Sequence, residues 1–86
     1  MPKLVVTHEV DNIDHWLASP KREEVFAGVA KNITRFVQPG QANRVALSME
    51  VADMDAFNAV MKSEAGAAAM KYDGVRPQTL VLYLEK

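Results

Sequence analysis

Residues 9–16 read EVDNIDHW and residues 50–57 read EVADMDAF, so both stretches follow the pattern E-V-x-[ND]-[IM]-D-x-[WF]. In each copy, an alternating apolar stretch precedes Asn12 or Asp53, and apolar residues at helical spacing follow it. Asn and Asp are favoured helix N-caps, and large apolar residues in the first turns anchor a helix on a sheet. The chain therefore contains the same strand-to-helix joint twice.

The repeat also indicates which residues the strand-to-helix joint requires and which it does not. His8 and His15 of the first copy correspond to Met49 and Ala56 of the second. Because a joint of the same kind forms without any histidine, neither His8 nor His15 is explained by the fold alone. Both histidines are therefore candidates for a function.

Four strands are predicted from the alternation of apolar and polar residues, at residues 3–10, 32–38, 44–51 and 79–85. Helices are predicted after Asn12 and after Asp53. Ser19, followed by proline, and Ser63 each start a further helical turn, and the second helical region ends near Gly74. The second and third strands form an antiparallel hairpin, and the order of elements is βαββαβ.

Length and composition indicate one small domain over residues 1–86, since there is no room for two hydrophobic cores. Domains of this size bury only about 60% of their unfolded surface, and many are supplemented by disulfides, metals or oligomerisation. The chain has no cysteine, which leaves oligomerisation as the expected supplement.

Charge and hydropathy argue against several classes of partner. Ten basic and eleven acidic residues give a net charge of −1 without a run of like charges, so nucleic acid is not an expected partner. No apolar run approaches the ~18 residues of a membrane span, and the start of the chain lacks the layout of a signal peptide. We expect a cytoplasmic protein.

The sequence resembles a known superfamily over most of its length. Residues 6–16 follow V-x-H-x-V-x-[DN]-x-D-x-W, residues 50–57 follow E-V-x-D-M-x-A-F, and a small-residue helix precedes Gly74 and Val75. These features resemble the dimeric α+β barrel superfamily, and most closely its small proteins related to antibiotic-biosynthesis monooxygenases. The resemblance implies a ferredoxin-like α+β fold with two helices on one face of a four-stranded antiparallel sheet. It also implies a homodimer whose sheets pack together, with ligand cavities between each sheet and its helices.

The resemblance does not extend to the haem-degrading members, whose histidine lies on the second helix, because residues 54–73 contain neither His nor Trp. No cofactor is expected. His8 and Glu9 also fail the zinc-binding pattern H-E-x-x-H, since Asn12 stands where the second histidine would be, and no metal site is expected. His8 faces the helices from its strand and is the best acid–base candidate of the chain.

A ligand pocket is expected beside the first helix, with His15, Trp16 and Tyr83 in its wall. Trp16 is equally expected to anchor its helix in the core, and Arg22 is expected to be solvated. The run Ala65 to Ala69 either packs closely against a neighbour or leaves a cavity, and the sequence does not separate these two outcomes.

The other face of the sheet is too apolar for open water and too polar for a sealed core. Such a face suits a dimer interface with paired charges. Its polar members are Thr7, Glu9, Arg44, Ser48 and Glu50.

Three functions are compatible with this sequence. The leading hypothesis is a homodimer that binds a small, largely apolar ligand between sheet and helices. The second is a cofactor-independent monooxygenase or isomerase that acts on an aromatic or polyketide-like substrate with His8 as the proton-transfer group. The third is a non-catalytic interaction module whose cavity is filled by side chains.

Overall fold

The structure, a computed structural model, describes residues 3–86, so the first two residues of the expected domain lie outside it. Each half of the chain consists of two strands and a pair of short helices. In chain order the elements are β1 (Lys3–Val10), α1 (Ile13–Ala18), α2 (Lys21–Phe26), β2 (Lys31–Val37), β3 (Arg44–Glu50), α3 (Met54–Lys62), α4 (Glu64–Asp73) and β4 (Val75–Leu84). The strands form one antiparallel sheet in the order β2-β3-β1-β4. The predicted βαββαβ order and the ferredoxin-like α+β fold are confirmed, with each helical region divided in two.

Side-chain caps fix where the helices begin. Asn12 Oδ1 accepts a hydrogen bond from His15 N at 2.9 Å, and Asp53 Oδ1 accepts one from Asp55 N at 2.9 Å. Both predicted caps are therefore confirmed. Ser63 starts α4 in the same way, as its Oγ accepts from Gly66 N at 3.0 Å. Within residues 3–86, no helix is long and apolar enough to cross a membrane.

The main hydrophobic core lies between the helices and one face of the sheet. Leu4 and Val6 point into it from β1, and Trp16 and Phe57 anchor the two repeated joints with 1% of their surface exposed each. The prediction that Trp16 packs in the core is confirmed. Burying an aromatic side chain of this size contributes roughly 3–5 kcal/mol, judged by the cost of truncating one.

The last strand begins at Val75, earlier than the predicted start at Thr79. The pairing of β1 with β4 is irregular there. Thr7 pairs with Val81 and Glu9 pairs with Arg76, so residues 77–80 all stand opposite His8. This irregularity interrupts the alternation of apolar and polar residues that predicts a strand. Proline has no amide hydrogen to donate to a sheet ladder, so such an irregularity accommodates Pro77. His8 is thus paired with Val45 of β3 but with no residue of β4.

The second face of the sheet carries no helix and is open. One row across it consists of Phe36, Ala46, Thr7 and Val81, as the strand registers show. Phe36 and Val81 are exposed by about half, although they are large apolar residues. The helices pack on the opposite face.

Candidate functional site

A cavity of about 50 Å³ lies between the sheet and the helices. Most of its wall is apolar and includes Phe26, Phe57 and Met61. Ala69 of the small-residue helix also lines it, whereas Gly66 of the same helix packs so tightly that an added Cβ would lie 2.1 Å from Val60 O. Both outcomes left open by the sequence therefore occur, with close packing at the start of α4 and a cavity beside its middle.

One end of this cavity is polar, although it is buried. His8 of β1, Arg22 of α2 and Asp73 of α4 line it together with Trp16 of α1. His8 is 2% exposed, and Arg22 and Asp73 are 4% exposed each. Charged residues are almost never buried to this degree unless they are paired. We call His8, Arg22 and Asp73 the polar end of the cavity.

His8 reaches the cavity because it lies on the face of β1 that also buries Leu4, Val6 and Val10. Its Nδ1–H points to Glu9 O at 3.4 Å, which leaves Nε2 as the unprotonated nitrogen of the neutral ring. The ring lies edge-on to Trp16, with 5.8 Å between the ring centroids. Burial lowers the pKa of His8 and the positive charge of Arg22 adds to this, while the hydrogen bond to Glu9 O and the negative charge of Asp73 offset part of the shift. The imidazole is therefore neutral at neutral pH.

Arg22 is buried, so the expectation that it is solvated is wrong. Its guanidinium Cζ lies 4.7 Å from the centroid of the Trp16 ring, and Nη1 donates to Trp16 O at 3.1 Å. Nη2 also donates to Trp16 O, and Nη1 approaches Ser19 O at 3.4 Å, so the guanidinium satisfies carbonyls at the end of α1. Burial lowers the pKa of Arg22 from its ordinary value.

The error about Arg22 has a geometric cause. Trp16 and Arg22 are six residues apart, a spacing that would place them on different faces of one continuous helix. Ser19 has an extended backbone with ψ of 131°, so α2 is a separate helix with a new direction. That turn brings the guanidinium back over the indole ring.

Asp73 completes the polar end from the last position of α4. Its Oδ2 lies 4.0 Å from Arg22 Nη1, an ion pair without a direct hydrogen bond. Sequence reasoning did not single out Asp73. A signal existed, because a carboxylate at a helix C-terminus opposes the helix dipole and therefore needs a partner elsewhere.

Two of the residues expected in the pocket lie elsewhere. His15 is exposed on α1, where its Nε2–H donates to Tyr72 O at 2.8 Å and its ring packs against Tyr72. Tyr83 pairs with Val5 on the open face of the sheet and is 58% exposed. The expected pocket wall is therefore corrected: of His15, Trp16 and Tyr83, only Trp16 lines the cavity.

The residues expected at a dimer interface share the open face. Thr7 and Ser48 are half-buried near its centre, and Glu50 lies at one end with Asn32 Nδ2 donating to its carboxylate. At the other end, Glu9 pairs with Arg44 at 3.4 Å and with Arg76 at 3.0 Å. The sequence interpretation missed Arg76, which also contacts Asp11 at 3.0 Å.

The charged side chains at this end of the open face are paired with one another. Hydrogen bonds from the Arg76 side chain to Asp11 and then to Glu9 raise the pKa of that guanidinium. Because Glu9 is bracketed by two arginines, it can be covered without leaving a bare carboxylate. Across the described part of the chain, no three His, Cys, Asp or Glu side chains are grouped closely enough to hold a metal ion.

Several solved structures share this architecture over the full chain. An antibiotic biosynthesis monooxygenase is 14% identical with a TM-score of 0.67, and the match covers 100% of this chain and 97% of that one. SnoaB, a cofactor-independent oxygenase from Streptomyces nogalater, is 14% identical with a TM-score of 0.73 and coverages of 99% and 90%. A dimeric protein of unknown function with a ferredoxin-like fold from Bacteroides fragilis is 16% identical, with a TM-score of 0.60 and coverages of 99% and 94%.

These likenesses concern the fold, because the sequence identities are low. No protein-family model matches the sequence, and no curated protein matches it. The chain therefore has a ferredoxin-like fold. It shares this fold with antibiotic biosynthesis monooxygenases and similar proteins, and also with proteins of unknown function.

Proposed function

We propose that this protein, as a single domain, forms a homodimer that binds a small, largely apolar ligand in the cavity between its sheet and its helices. The observation that carries the proposal is an apolar cavity closed at one end by His8, Arg22 and Asp73, all buried. Ligand sites in proteins are concave and mostly apolar, with few polar groups that fix orientation. A structural core has no need for three ionisable side chains at one cavity.

The cavity must widen to hold a ligand of several carbon atoms. Its volume of about 50 Å³ is well below the roughly 150 Å³ that an engineered apolar cavity uses to bind benzene. Met49, Met61 and Met70 line it, and the unbranched methionine side chain adapts readily to new shapes. Repacking of these methionines supports binding of a molecule the size of a single aromatic ring.

Filling the cavity tests the proposal. Ala69 lines the cavity, whereas its neighbour Ala68 is exposed on the same helix, so Ala69→Leu and Ala68→Leu form a matched pair. Small aromatic fragments are titrated into each protein while ¹⁵N NMR shifts are followed, with the indole of Trp16 as the reporter of the cavity. We expect fragments to shift the Trp16 signal in the wild type and in Ala68→Leu but not in Ala69→Leu. Fragments that leave Trp16 unmoved in the wild type reject the proposal and favour a non-catalytic interaction module.

The dimer part of the proposal rests on the open face of the sheet. Large apolar surface is exposed there, because no helix covers the face. It belongs to Phe36, Val81 and Tyr83. Covering this surface with the same face of a second copy provides burial that so short a chain lacks. The paired charges around Glu9 sit at the margin of the face, where an interface tolerates polar groups.

A charge on this face tests dimerisation. Val81 stands in the central row, so Val81→Asp places an unpaired carboxylate in the proposed interface. Ala68→Asp adds the same charge on the exposed side of α4 and serves as the control. Sedimentation velocity at micromolar concentration should give a dimer for the wild type and for Ala68→Asp, and a folded monomer for Val81→Asp. A monomeric wild type rejects the dimer.

A second candidate function is that of a cofactor-independent monooxygenase or isomerase for an aromatic or polyketide-like substrate. It is favoured by one observation, the buried and neutral His8 at the polar end of the cavity, which suits a general base. The fold is shared with SnoaB, a cofactor-independent oxygenase. In this function His8 takes a proton from the substrate, and Trp16 forms a wall of the substrate pocket.

Oxygen uptake distinguishes an oxygenase from a binding protein, whereas an isomerase consumes no oxygen. A dihydroxynaphthalene is supplied as the aromatic probe, and uptake is followed for the wild type, for His8→Gln and for His15→Gln as the control that changes the exposed histidine. An oxygenase predicts uptake that is lost in His8→Gln and retained in His15→Gln. Uptake that survives in a folded His8→Gln protein removes His8 from the reaction.

A further inference from the structure

Two polar atoms at the cavity have no hydrogen-bond partner. Arg22 Nε and Asp73 Oδ1 are buried, and each side chain is only 5% exposed. Arg22 Nη1 and Nη2 donate to Trp16 O, whereas Asp73 Oδ2 faces Nη1 at 4.0 Å without a hydrogen bond. A buried donor or acceptor left without a partner costs about 1–3 kcal/mol. One buried donor and one buried acceptor therefore remain without partners on two residues that line the same cavity.

The polar end of the cavity carries no net charge. Arg22 and Asp73 have opposite charges, and the third member, His8, is neutral. A ligand anion is attracted by Arg22 and repelled by Asp73, and a ligand cation is attracted by Asp73 and repelled by Arg22. In both cases the two electrostatic contributions offset each other. Neither ion recovers the cost of leaving water. The site is therefore matched to an uncharged polar group.

We infer that the polar group of the ligand is a neutral hydroxyl, which accepts a hydrogen bond from Arg22 Nε and donates one to Asp73 Oδ1. This inference rests on the proposed ligand-binding function and adds the chemical class of the ligand, a small apolar molecule with one hydroxyl. The apolar body then lies against the apolar part of the lining, which includes Phe57 and Ala69.

Other common polar groups satisfy only part of this requirement. A ketone or an ether accepts from Arg22 Nε but leaves the Asp73 oxygen without a donor. A carboxylate places two negative charges side by side. Of these groups, only a hydroxyl both accepts and donates through one oxygen, which is the hydrogen-bond capacity of an alcohol or a phenol.

Three probes of equal ring size test the inference. Phenol, toluene and benzoate share a phenyl ring, and toluene has the shape of phenol without its hydrogen bonds. Their dissociation constants are measured by ¹⁵N NMR titration of the wild type, with the Trp16 indole as reporter of the site. We expect phenol to bind about tenfold more tightly than toluene or benzoate, the ratio expected of one buried hydrogen-bonding group.

A double variant keeps the test informative if single variants unfold. Arg22→Met with Asp73→Leu replaces the buried pair by apolar side chains of similar size, a change that proteins often tolerate. This variant should bind toluene at least as tightly as phenol. The control is Lys21→Gln with Glu24→Gln, which removes an exposed ion pair from the same helix and should retain the preference for phenol.

The possible results separate the inference from the function on which it rests. Toluene that binds the wild-type cavity as tightly as phenol overturns the hydroxyl assignment but leaves ligand binding standing. A preference for phenol that persists in the Arg22→Met and Asp73→Leu double variant also overturns the assignment. If none of the three probes moves the Trp16 signal and only water occupies the cavity, the proposed function fails and the inference fails with it.

Discussion

Arg22 and Asp73 face each other inside the protein with Nη1 4.0 Å from Oδ2, and no hydrogen bond joins them. One residue belongs to α2 and the other to the end of α4, so the pair links two helices that cover the same cavity. Removing two charges from water costs several kcal/mol per ion, and an ion pair of imperfect geometry does not repay it. The pair is thus better suited to a binding site than to holding the fold together.

Breaking this pair on one side should destabilise the protein more than removing it completely. Asp73→Leu leaves the Arg22 charge buried without a counter-charge, and we expect a loss of about 3–5 kcal/mol in the free energy of unfolding. The Arg22→Met and Asp73→Leu double variant should recover part of this loss, because it removes the unpaired charge but still leaves Trp16 O and Ser19 O without the donors that Arg22 supplies. Urea denaturation measures both. If the double variant is as unstable as the single one, the unpaired charge is not the cause of the loss, and this prediction is wrong.

The buried His8 should make stability depend on pH in a defined direction. Its pKa in the folded protein lies below the unfolded value of about 6.5, so the unfolded chain takes up the proton first as the pH falls. The contribution of a neutral His8 is therefore complete above about pH 7.5 and is lost as the pH drops through about 6.5 toward the lower folded pKa. Below the folded pKa, the loss levels off.

Thermal or urea unfolding across this pH range measures the effect. The His8→Gln variant lacks the titrating group and should lose less stability than the wild type between about pH 7.5 and about pH 5.5. His15→Gln retains His8 and controls for the loss of a histidine as such. Parallel stability curves for the wild type and His8→Gln contradict a buried, neutral His8.

Close packing at the start of α4 should make Gly66 intolerant of a side chain. A Cβ at this position meets Val60 O at 2.1 Å, and the obstacle is backbone that cannot turn away. We expect Gly66→Ala to cost roughly 1–3 kcal/mol or more. Gly28 has no atom within 4 Å of its added Cβ, so Gly28→Ala should stay within about 0.5 kcal/mol of the wild type. Equal stabilities of the two variants contradict this packing.

The repeated joints should respond alike when their caps are removed. Asn12 and Asp53 accept backbone hydrogen bonds in equivalent positions, so Asn12→Ala and Asp53→Ala should each cost about 1 kcal/mol. Asn58 lies exposed in the middle of α3, where Asn58→Ala removes no cap and improves helix propensity. Chemical denaturation should rank both cap variants below Asn58→Ala. A cap variant as stable as Asn58→Ala indicates that the joint does not depend on its cap.

Local patterns were sufficient to predict the fold. The repeat places Trp16 and Phe57 at equivalent joints, and both are buried as expected. The alternation over residues 79–85 puts Tyr83 on the face opposite Leu82, which agrees with its pairing to Val5. A residue that lines the cavity must lie on the face of the sheet that the helices cover. Tyr83 lies on the other face, so its assignment to the cavity failed.

The polar end of the cavity was only partly predictable. His8 was recognised because its strand position faces the helices. Arg22 and Asp73 are far apart in sequence and meet only because the chain turns at Ser19 and because α4 packs across α2. Long-range packing of this kind leaves no periodic signal in the sequence.

A crystal structure of the protein grown with phenol tests the central claim most directly. The account predicts two copies joined through the open faces of their sheets, with phenol between Trp16 and Ala69 and its hydroxyl directed to Arg22 and Asp73. Phenol found only outside the cavity, in a monomer whose Met61 and Met70 fill the space beside Trp16, would contradict it.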